Sequence, residues 1–592
     1  MLDRRARLTG LSLTLGLLLV LSACGGGTSQ EESTSAGLAD CTKNPNSCNS
    51  GTTKKGGSFA YVIEKDIELW NINDTNANTF ETAEVLQTLL PGVFNITPDL
   101  KPTLNTDLMA SVTKTGDNPQ TIVYKIQPNA VWSDGTPITV NDFVYAWKTQ
   151  NGRDCPLPPE SDDSGTRGCN PNNTAGYDRI KSITGADGGK TVTAVFSRPY
   201  ADWQNLFGAG YGLLPAHIAK QYGGDLDSVA GLAKAWHTFN TTPPKFSGGP
   251  YIMQNWQKGN AATLVPNPRW YGKTKPTLGK LIFRVISDAA QEPTALQNNE
   301  VQGIYPQPQV DLVSQVKKIP NVTYAISHGL TWEHFDFNLK TPALRDKTLR
   351  QAMFTAVDRK ALIAKTVGQF TSGVVPLGSH NYVPGQPGYK DLVSPTGQGS
   401  GNVARARQML TQAGYTGVGT ALKDPQGETV GPFKIRYTTG NAIRKTQCEL
   451  FQAQMKQLGI NVTIEEIGAD KLGQVLAGGQ YDVIVFAWVA PPFPTNSAAQ
   501  NWTTAGGGNY GKYSNKQVDK LIDDAAAASD PAQAAELLNK ADAMVVQDAY
   551  VLPLYQKPTF LAVQTRFVNI RNNSTNTGPP YNTEEWGLRG AA

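Results

Sequence analysis

The chain has no excess of either charge: 53 Lys and Arg stand against 49 Asp and Glu. That balance lacks the concentrated basic footprint a nucleic-acid binder needs. Nor is there a long apolar stretch in the body of the chain. The longest run, Val483 to Ala490, falls far short of the ~18–20 residues of a membrane helix and reads as a buried strand. Histidine is scarce, five residues with no H-x-x-x-H pair for a metal. No G-x-S-x-G elbow occurs. Gly-Lys-Thr appears at 189–191 and 272–274, but Thr184 and Asn267 stand where a phosphate-binding loop needs glycine. The run Gly506 to Gly511 fits G-x-G-x-x-G, yet it follows Asn501 to Thr504 rather than an apolar strand, so it reads as a loop. With 39% hydrophobic and 17% charged residues, the chain is too apolar for disorder. Its 592 residues allow several domains or one large split one.

What is present begins at the N-terminus. Arg4, Arg5 and Arg7 precede a mainly apolar segment, Leu11 to Leu21. Eleven helical residues rise about 16 Å, too little to span a bilayer, so the segment reads as an export signal. It ends in Leu21-Ser22-Ala23-Cys24-Gly25, which resembles the lipobox of bacterial lipoproteins. That resemblance implies cleavage after residue 23 and a diacylglycerol and palmitate anchor on Cys24. The alternative is an ordinary signal peptide with an incidental cysteine. Residues 24–55, rich in Gly, Ser, Thr and Asn, read as a flexible tether.

Export permits disulfides. Cys155 and Cys169 bracket a polar loop, and their bridge would contribute about 3 kcal/mol by the chain-entropy estimate. Cys41 and Cys48 could pair within the tether. Cys448 shares a helical face with Phe451, Met455 and Leu458, which suits a buried thiol.

Strand-like runs occur at 58–63, 121–126, 191–196 and 280–286, and amphipathic helices at 347–366, 403–412, 441–458, 515–528 and 531–548. Helices alternate with strands at 462–466 and 481–488, which is α/β character with a largely buried sheet. Thr139 can cap a helix from Val140, and Asp346 stands four residues before Arg350, a possible ion pair. Eleven tryptophans include several beside Gly or Pro, and as a set they suit a cleft that stacks flat groups or peptide bonds.

Four blocks carry a family resemblance. They are Val131 to Phe143 (VWSDGTPITVNDF), then Gly249-Pro250-Tyr251 with Pro266 to Gly272, then Ala295 to Val301 with Phe337-Asn338 and Leu349 to Arg359, and last Tyr481 to Trp488 with Tyr513 to Asp519. In that order they resemble the family-5 extracytoplasmic solute-binding proteins of peptide and oligopeptide ABC importers. The resemblance implies an α/β, two-lobed periplasmic-binding-protein-like fold (type II, cluster C) with an extra domain inserted in lobe I. Lobe I would comprise 56–78, 201–327 and 554–592, the extra domain 79–200, and lobe II 328–553. It further implies a monomeric, non-enzymatic carrier that needs no cofactor and binds no nucleic acid. Held to the outer face of the cell membrane by its lipid, it would close on a peptide and deliver it to ABC permease subunits. Candidate ligand contacts are Trp70, Trp332, Trp488, Phe493, Asn496 and Tyr510.

One position departs from the family pattern. Peptide-binding relatives place an Asp three residues after the Trp of the last block, against the peptide's α-ammonium, and here Pro491 stands there. Asp66, Glu68 or Asp74 could substitute. The departure keeps open the same scaffold with another ligand: an N-blocked or cyclic peptide, a metal chelate, a sugar or haem. An exported enzyme or adhesin is the remote alternative.

Overall fold

The computed structural model describes residues 36–157, 168–208, 212–468, 471–489 and 492–591. A ten-stranded sheet runs through both lobes. From edge to edge its strands are Val462–Ile467, Phe433–Thr438, Val483–Val489, Val322–Phe337, Val551–Gln564, Gly303–Ile304, Ser58–Ile63, Lys280–Val285, Ala261–Pro266 and Tyr251–Gln257. Interior strands such as Ser58–Ile63 are buried at almost every position, as a sheet covered on both faces requires.

Two strands cross between the lobes. Val322–Phe337 pairs antiparallel with Val551–Gln564, from Val322 opposite Gln564 to Asp336 opposite Val551. The ladder shifts register between His328 and Trp332 and again between Glu333 and His334. Pro558 and Pro553 are the partners at those two shifts, where a missing N–H costs the ladder least. The parallel strands of each lobe aim their carboxyl ends at this crossing. In lobe I these are Ser58–Ile63, Lys280–Val285 and Gly303–Ile304; in lobe II they are Phe433–Thr438, Val462–Ile467 and Val483–Val489. In open α/β sheets that is where ligands bind.

A separate four-stranded antiparallel sheet, Met109–Asp117, Gln120–Ile126, Thr191–Phe196 and Ile180–Ala186 in spatial order, packs against helix Val140–Gln150. Thr139 and Asp142 form a full capping box on that helix. Disulfides join Cys155 to Cys169 and Cys41 to Cys48, and Cys448 is buried and free.

Three expectations need correction. The tether expected over 24–55 is structured from residue 36 onward: Leu38 is fully buried, Cys48 O accepts from Arg571 Nε, and Thr53–Lys54 pairs with Gly587–Arg589. The Cys41–Cys48 bridge and the buried Leu38 supply what its Gly/Ser/Thr composition lacks. The single helix expected over 347–366 is two, Lys347–Ala356 and Arg359–Lys365, because Asp358 turns out of the first to cap the second at Ala361 N. Asp346 likewise caps at Leu349 N, while the Arg350 guanidinium satisfies the carbonyls of Leu344, Arg345, Asp548 and Ala549.

Candidate functional site

On lobe II, alternation along the crossing strand sends Trp332 and His334 to one face and Glu333 and Phe335 to the other. Trp332 pairs across the ladder with Trp488 of the neighbouring strand. Trp488, half-buried, lies parallel to Tyr510 at 5.8 Å and to His334 at 6.1 Å, with Phe486 edge-on at 5.1 Å. His334 Nδ1 is 2.5 Å from Asp336 Oδ1, and its Nε2 is buried with no partner among the described residues. The result is an aromatic wall, partly open at Trp488 and Tyr510, with a fixed imidazole behind it.

At the carboxyl ends of the lobe I strands lies a group of glutamates. Glu64 follows Ser58–Ile63, Glu81 and Glu84 lie on helix Phe80–Leu86, and Glu292 opens helix Glu292–Gln297. Tyr61 donates its hydroxyl to Glu84 at 2.6 Å, and Lys65 reaches Glu81 at 3.6 Å. Both carboxyl oxygens of the fully buried Glu292 lack a partner among the described residues. Burial first, and then the neighbouring carboxyls, push Glu64 and Glu292 above the usual carboxylate range. Glu84 is pushed well up by burial, although the Tyr61 hydroxyl works against it.

On the opposite face of the crossing strands Glu333 is 1% exposed. It accepts from Arg444 Nε at 2.6 Å and lies 3.0 Å from Lys557 Nζ. Burial alone would raise this carboxyl, but the two cations more than reverse that and hold it down to about 2.

Two distant stretches of chain also meet at Asp202. Its Oδ2 accepts from Thr495 N at 3.1 Å, Asn496 N at 3.4 Å and the Thr495 hydroxyl, at the start of helix Pro494–Trp502. Burial pushes Asp202 up to about 6 against those bonds. Nearby Arg179 and Arg198 both pair with Asp523, and Ala201 N bonds Ala526 O.

Of the candidate contacts, the structure brings Trp332, Trp488 and Tyr510 together, with Trp332 only 2% exposed behind the other two. Trp70 is buried in lobe I, edge-on to Trp256 at 5.2 Å. Phe493 is buried in the same apolar cluster as Phe59 and Tyr61. Asn496 contributes its backbone N–H to Asp202. The acids suggested as substitutes are engaged elsewhere: Asp74 by Trp236 Nε1 at 2.7 Å, Asp66 by Gly259 N at 2.8 Å, and Glu68 by Lys258 at 2.6 Å. Cys24 and Pro491 lie outside the described residues. The His334–Asp336 pair, the Glu333 trio and the glutamate group were not legible beforehand, although alternation along 322–337 would have shown the first.

Residues 103–510 match the model of the bacterial extracellular solute-binding proteins, family 5. The chain is 28% identical over 564 residues to the oligopeptide-binding protein OppA of Mycobacterium tuberculosis (strain ATCC 25618 / H37Rv), covering 94% of this chain and 90% of that one. Among solved structures it resembles the periplasmic EDTA-binding protein EppA, with a TM-score of 0.86 and 35% identity over 92% of this chain and 99% of that one. It also superimposes on the oligopeptide-binding protein AppA of Bacillus subtilis in complex with a nonapeptide, at a TM-score of 0.73 and 21% identity, covering 91% of this chain and all of that one.

Proposed function

The chain belongs to the bacterial extracellular solute-binding proteins of family 5, and we propose that it captures oligopeptides between its lobes and delivers them to an ABC permease. The observation that carries this reading is the convergence of both lobes' strand ends on one pair of crossing strands, beside a half-open Trp488–Tyr510 wall. A peptide laid along that wall would be held by backbone hydrogen bonds, with its side chains in wet pockets. The crossing strands supply the hinge: their interrupted ladder at Gly329 to Thr331 is the natural pivot for lobe closure. We place lobe I at 56–78, 201–327 and 554–592, the extra domain at 79–200 and lobe II at 328–553. Nothing in this reading requires catalysis. The mature chain would begin at a lipidated Cys24, on the outer face of the cell membrane.

A second reading, a metal chelate as ligand, is favoured by the likeness to the EDTA-binding protein. The carboxyl-rich end of lobe I argues against a polyanion, which would meet Glu64 and Glu81 at close range. Mass spectrometry of ligand released from protein purified out of a heterologous host separates the two. A ladder of peptides is the expected result; a single chelate species would overturn the peptide assignment.

A further inference from the structure

The glycine-rich run Gly506 to Gly511, a loop by its sequence, is a loop pinned at both ends. At its start the N–H and the hydroxyl of Thr504 donate to Asp519, at 2.8 and 2.7 Å. At its end Gly511 N donates to the Tyr550 hydroxyl at 3.0 Å, and Gly511 O accepts from Leu339 N at 2.9 Å. Tyr550 directly precedes strand Val551–Gln564, and Leu339 lies just past strand Val322–Phe337. The loop is therefore fastened to the ends of both crossing strands. The approach is close enough that a Cβ on Gly511 would lie 2.3 Å from Phe337 O.

Between those ends stands Asn509, which is 1% exposed. Its Nδ2 donates to Thr503 O at 3.0 Å and to Tyr513 O at 2.6 Å. Its Oδ1 accepts from Tyr513 N at 2.9 Å and from the Tyr550 hydroxyl at 3.2 Å. Four bonds use the whole capacity of a primary amide, two donors and two lone pairs. Aspartate in its place would keep both acceptances and lose both donations. The next residue is Tyr510, whose ring lies 5.8 Å from that of Trp488 at an interplanar angle of 9°. Tyr510 is half-buried, and among the described residues no hydrogen bond holds its hydroxyl. The ring is thus fixed through its backbone neighbour and one stacking contact, while its polar end stays free.

We propose that Asn509 is a positioning residue of the ligand site: it holds Tyr510 on Trp488, so that the Tyr510 hydroxyl is offered, already oriented, to a carbonyl of the ligand. This role rests on the reading of the Trp488–Tyr510 wall as the place where a peptide lies. The glycines beside Asn509 fit the same purpose. A Cβ on Gly508 would lie 3.1 Å from Trp488 Cη2 and 2.4 Å from Asn501 Oδ1, so only a bare backbone lets the loop pass behind the indole. A loop this rich in glycine loses much entropy when fixed. The four bonds of one buried amide offset that cost, because each of its polar atoms would otherwise be buried without a partner. Fixing the ring beforehand also spares the ligand the ordering of that side chain on binding.

The test labels the full mature chain with 5-fluorotryptophan and reads it by fluorine NMR, the Trp488 resonance being identified by its loss in Trp488→Phe. We expect Tyr510→Ala to move that resonance, and Asn509→Leu and Asn509→Asp to move it in the same direction. The resonances of Trp70, Trp132 and Trp586, which sit in another apolar cluster, should stay in place. Combining Asn509→Asp with Tyr510→Ala should move Trp488 no further than Tyr510→Ala alone. Circular dichroism checks folding, and Asn509→Asp, which keeps the shape and both acceptances, carries the test where Asn509→Leu does not fold. Binding is read by calorimetry with N-acetylated nonapeptides of randomised sequence. Tyr510→Phe should weaken it by about three- to tenfold while leaving the Trp488 resonance close to its wild-type position, and Asn509→Asp should weaken it at least as much. A Trp488 resonance unmoved by the Asn509 variants would overturn the assignment, as would nonapeptide affinity unchanged by Asn509→Asp where Tyr510→Phe lowers it. Failure of the nonapeptides to bind the wild-type chain would instead overturn the peptide reading, while the fluorine resonances still decide the role of Asn509.

Discussion

Replacing Glu333 by Gln removes the anion from between two buried cations without changing its shape. The carboxyl is held near 2 against an ordinary 4.5. At about 1.4 kcal/mol per unit, that depression corresponds to about 3 kcal/mol of folded-state stabilisation. Burial pulls the Lys557 ammonium below its usual value, and the Glu333 charge restrains that pull. In the variant Lys557 can therefore shed its proton, which keeps the loss at the lower end of the ~3–5 kcal/mol typical of a broken buried pair. For a lobe-sized unit, about 2–4 °C per kcal/mol gives a fall of roughly 6–12 °C in Tm, read by scanning calorimetry at pH 7. The pH dependence isolates the cause. A depressed carboxyl stabilises fully above its unfolded value and ceases to as pH falls through its folded value. The gap between wild type and Glu333→Gln should hold from neutral pH down to about 5, then close between 4.5 and 2. A gap under about 2 °C at neutral pH, or one that persists undiminished at the acid end, would refute the reasoning.

Four further outcomes are expected. Acetylating a bound peptide's N-terminus should cost less than about threefold in Kd by calorimetry, whereas an amine anchored by a charged hydrogen bond would lose tenfold or more; a large penalty would point to the lobe I glutamates. Trp488→Ala should weaken peptide binding by at least about tenfold, because it opens the wall shared with Tyr510 and His334; unchanged affinity would remove the wall from the site. Non-reducing peptide mapping should find Cys155 joined to Cys169 and Cys41 to Cys48. Cys448, buried and with its thiol pushed well above the usual range by burial, should resist iodoacetamide until the chain is unfolded. Cys24→Ser should release the protein from the membrane fraction, and an unchanged membrane fraction would rule out the lipid anchor.

Local pattern recovered the elements that no Pro or Gly interrupts. Helix Val403–Gln412 and strands Ser58–Ile63 and Thr191–Phe196 stand where their periodicity put them, and the Thr139 cap was readable from four residues. The crossing strands were not read as strands. Pro553 and Pro558 interrupt one of them and Gly329 the other, and each break suggests a loop until the partner strand shows that the ladder shifts at those same places. The aromatic candidates divided on a similar ground. A Trp beside a turn residue can equally face the core, and only pairing decides. Trp488 is half open because it ends a strand at the sheet's carboxyl edge, whereas Trp332, its cross-strand partner, is covered by His380 and Trp502. The glutamates at the carboxyl ends of the lobe I strands come from three separate stretches of sequence, so no spacing could have joined them.

That grouping bears on how the site divides its work. The lobe II side offers a flat aromatic surface at Trp488, with the His334 imidazole held by Asp336 beside it. The lobe I side offers carboxyls that share too little positive charge: Lys65, the cation paired with Glu81, is itself largely exposed, and Lys557 is already committed to Glu333. Burial and the neighbouring carboxyls push Glu64 and Glu84 above the usual carboxylate range, which favours their neutral form over the ionised one. A cationic side chain placed there would draw the carboxyls toward ionisation and gain from it. A polyanion would hold them neutral and gain nothing. On the proposed reading, charge preference would be set at the carboxyl ends of the lobe I strands, while the Trp488–Tyr510 wall would supply apolar contact.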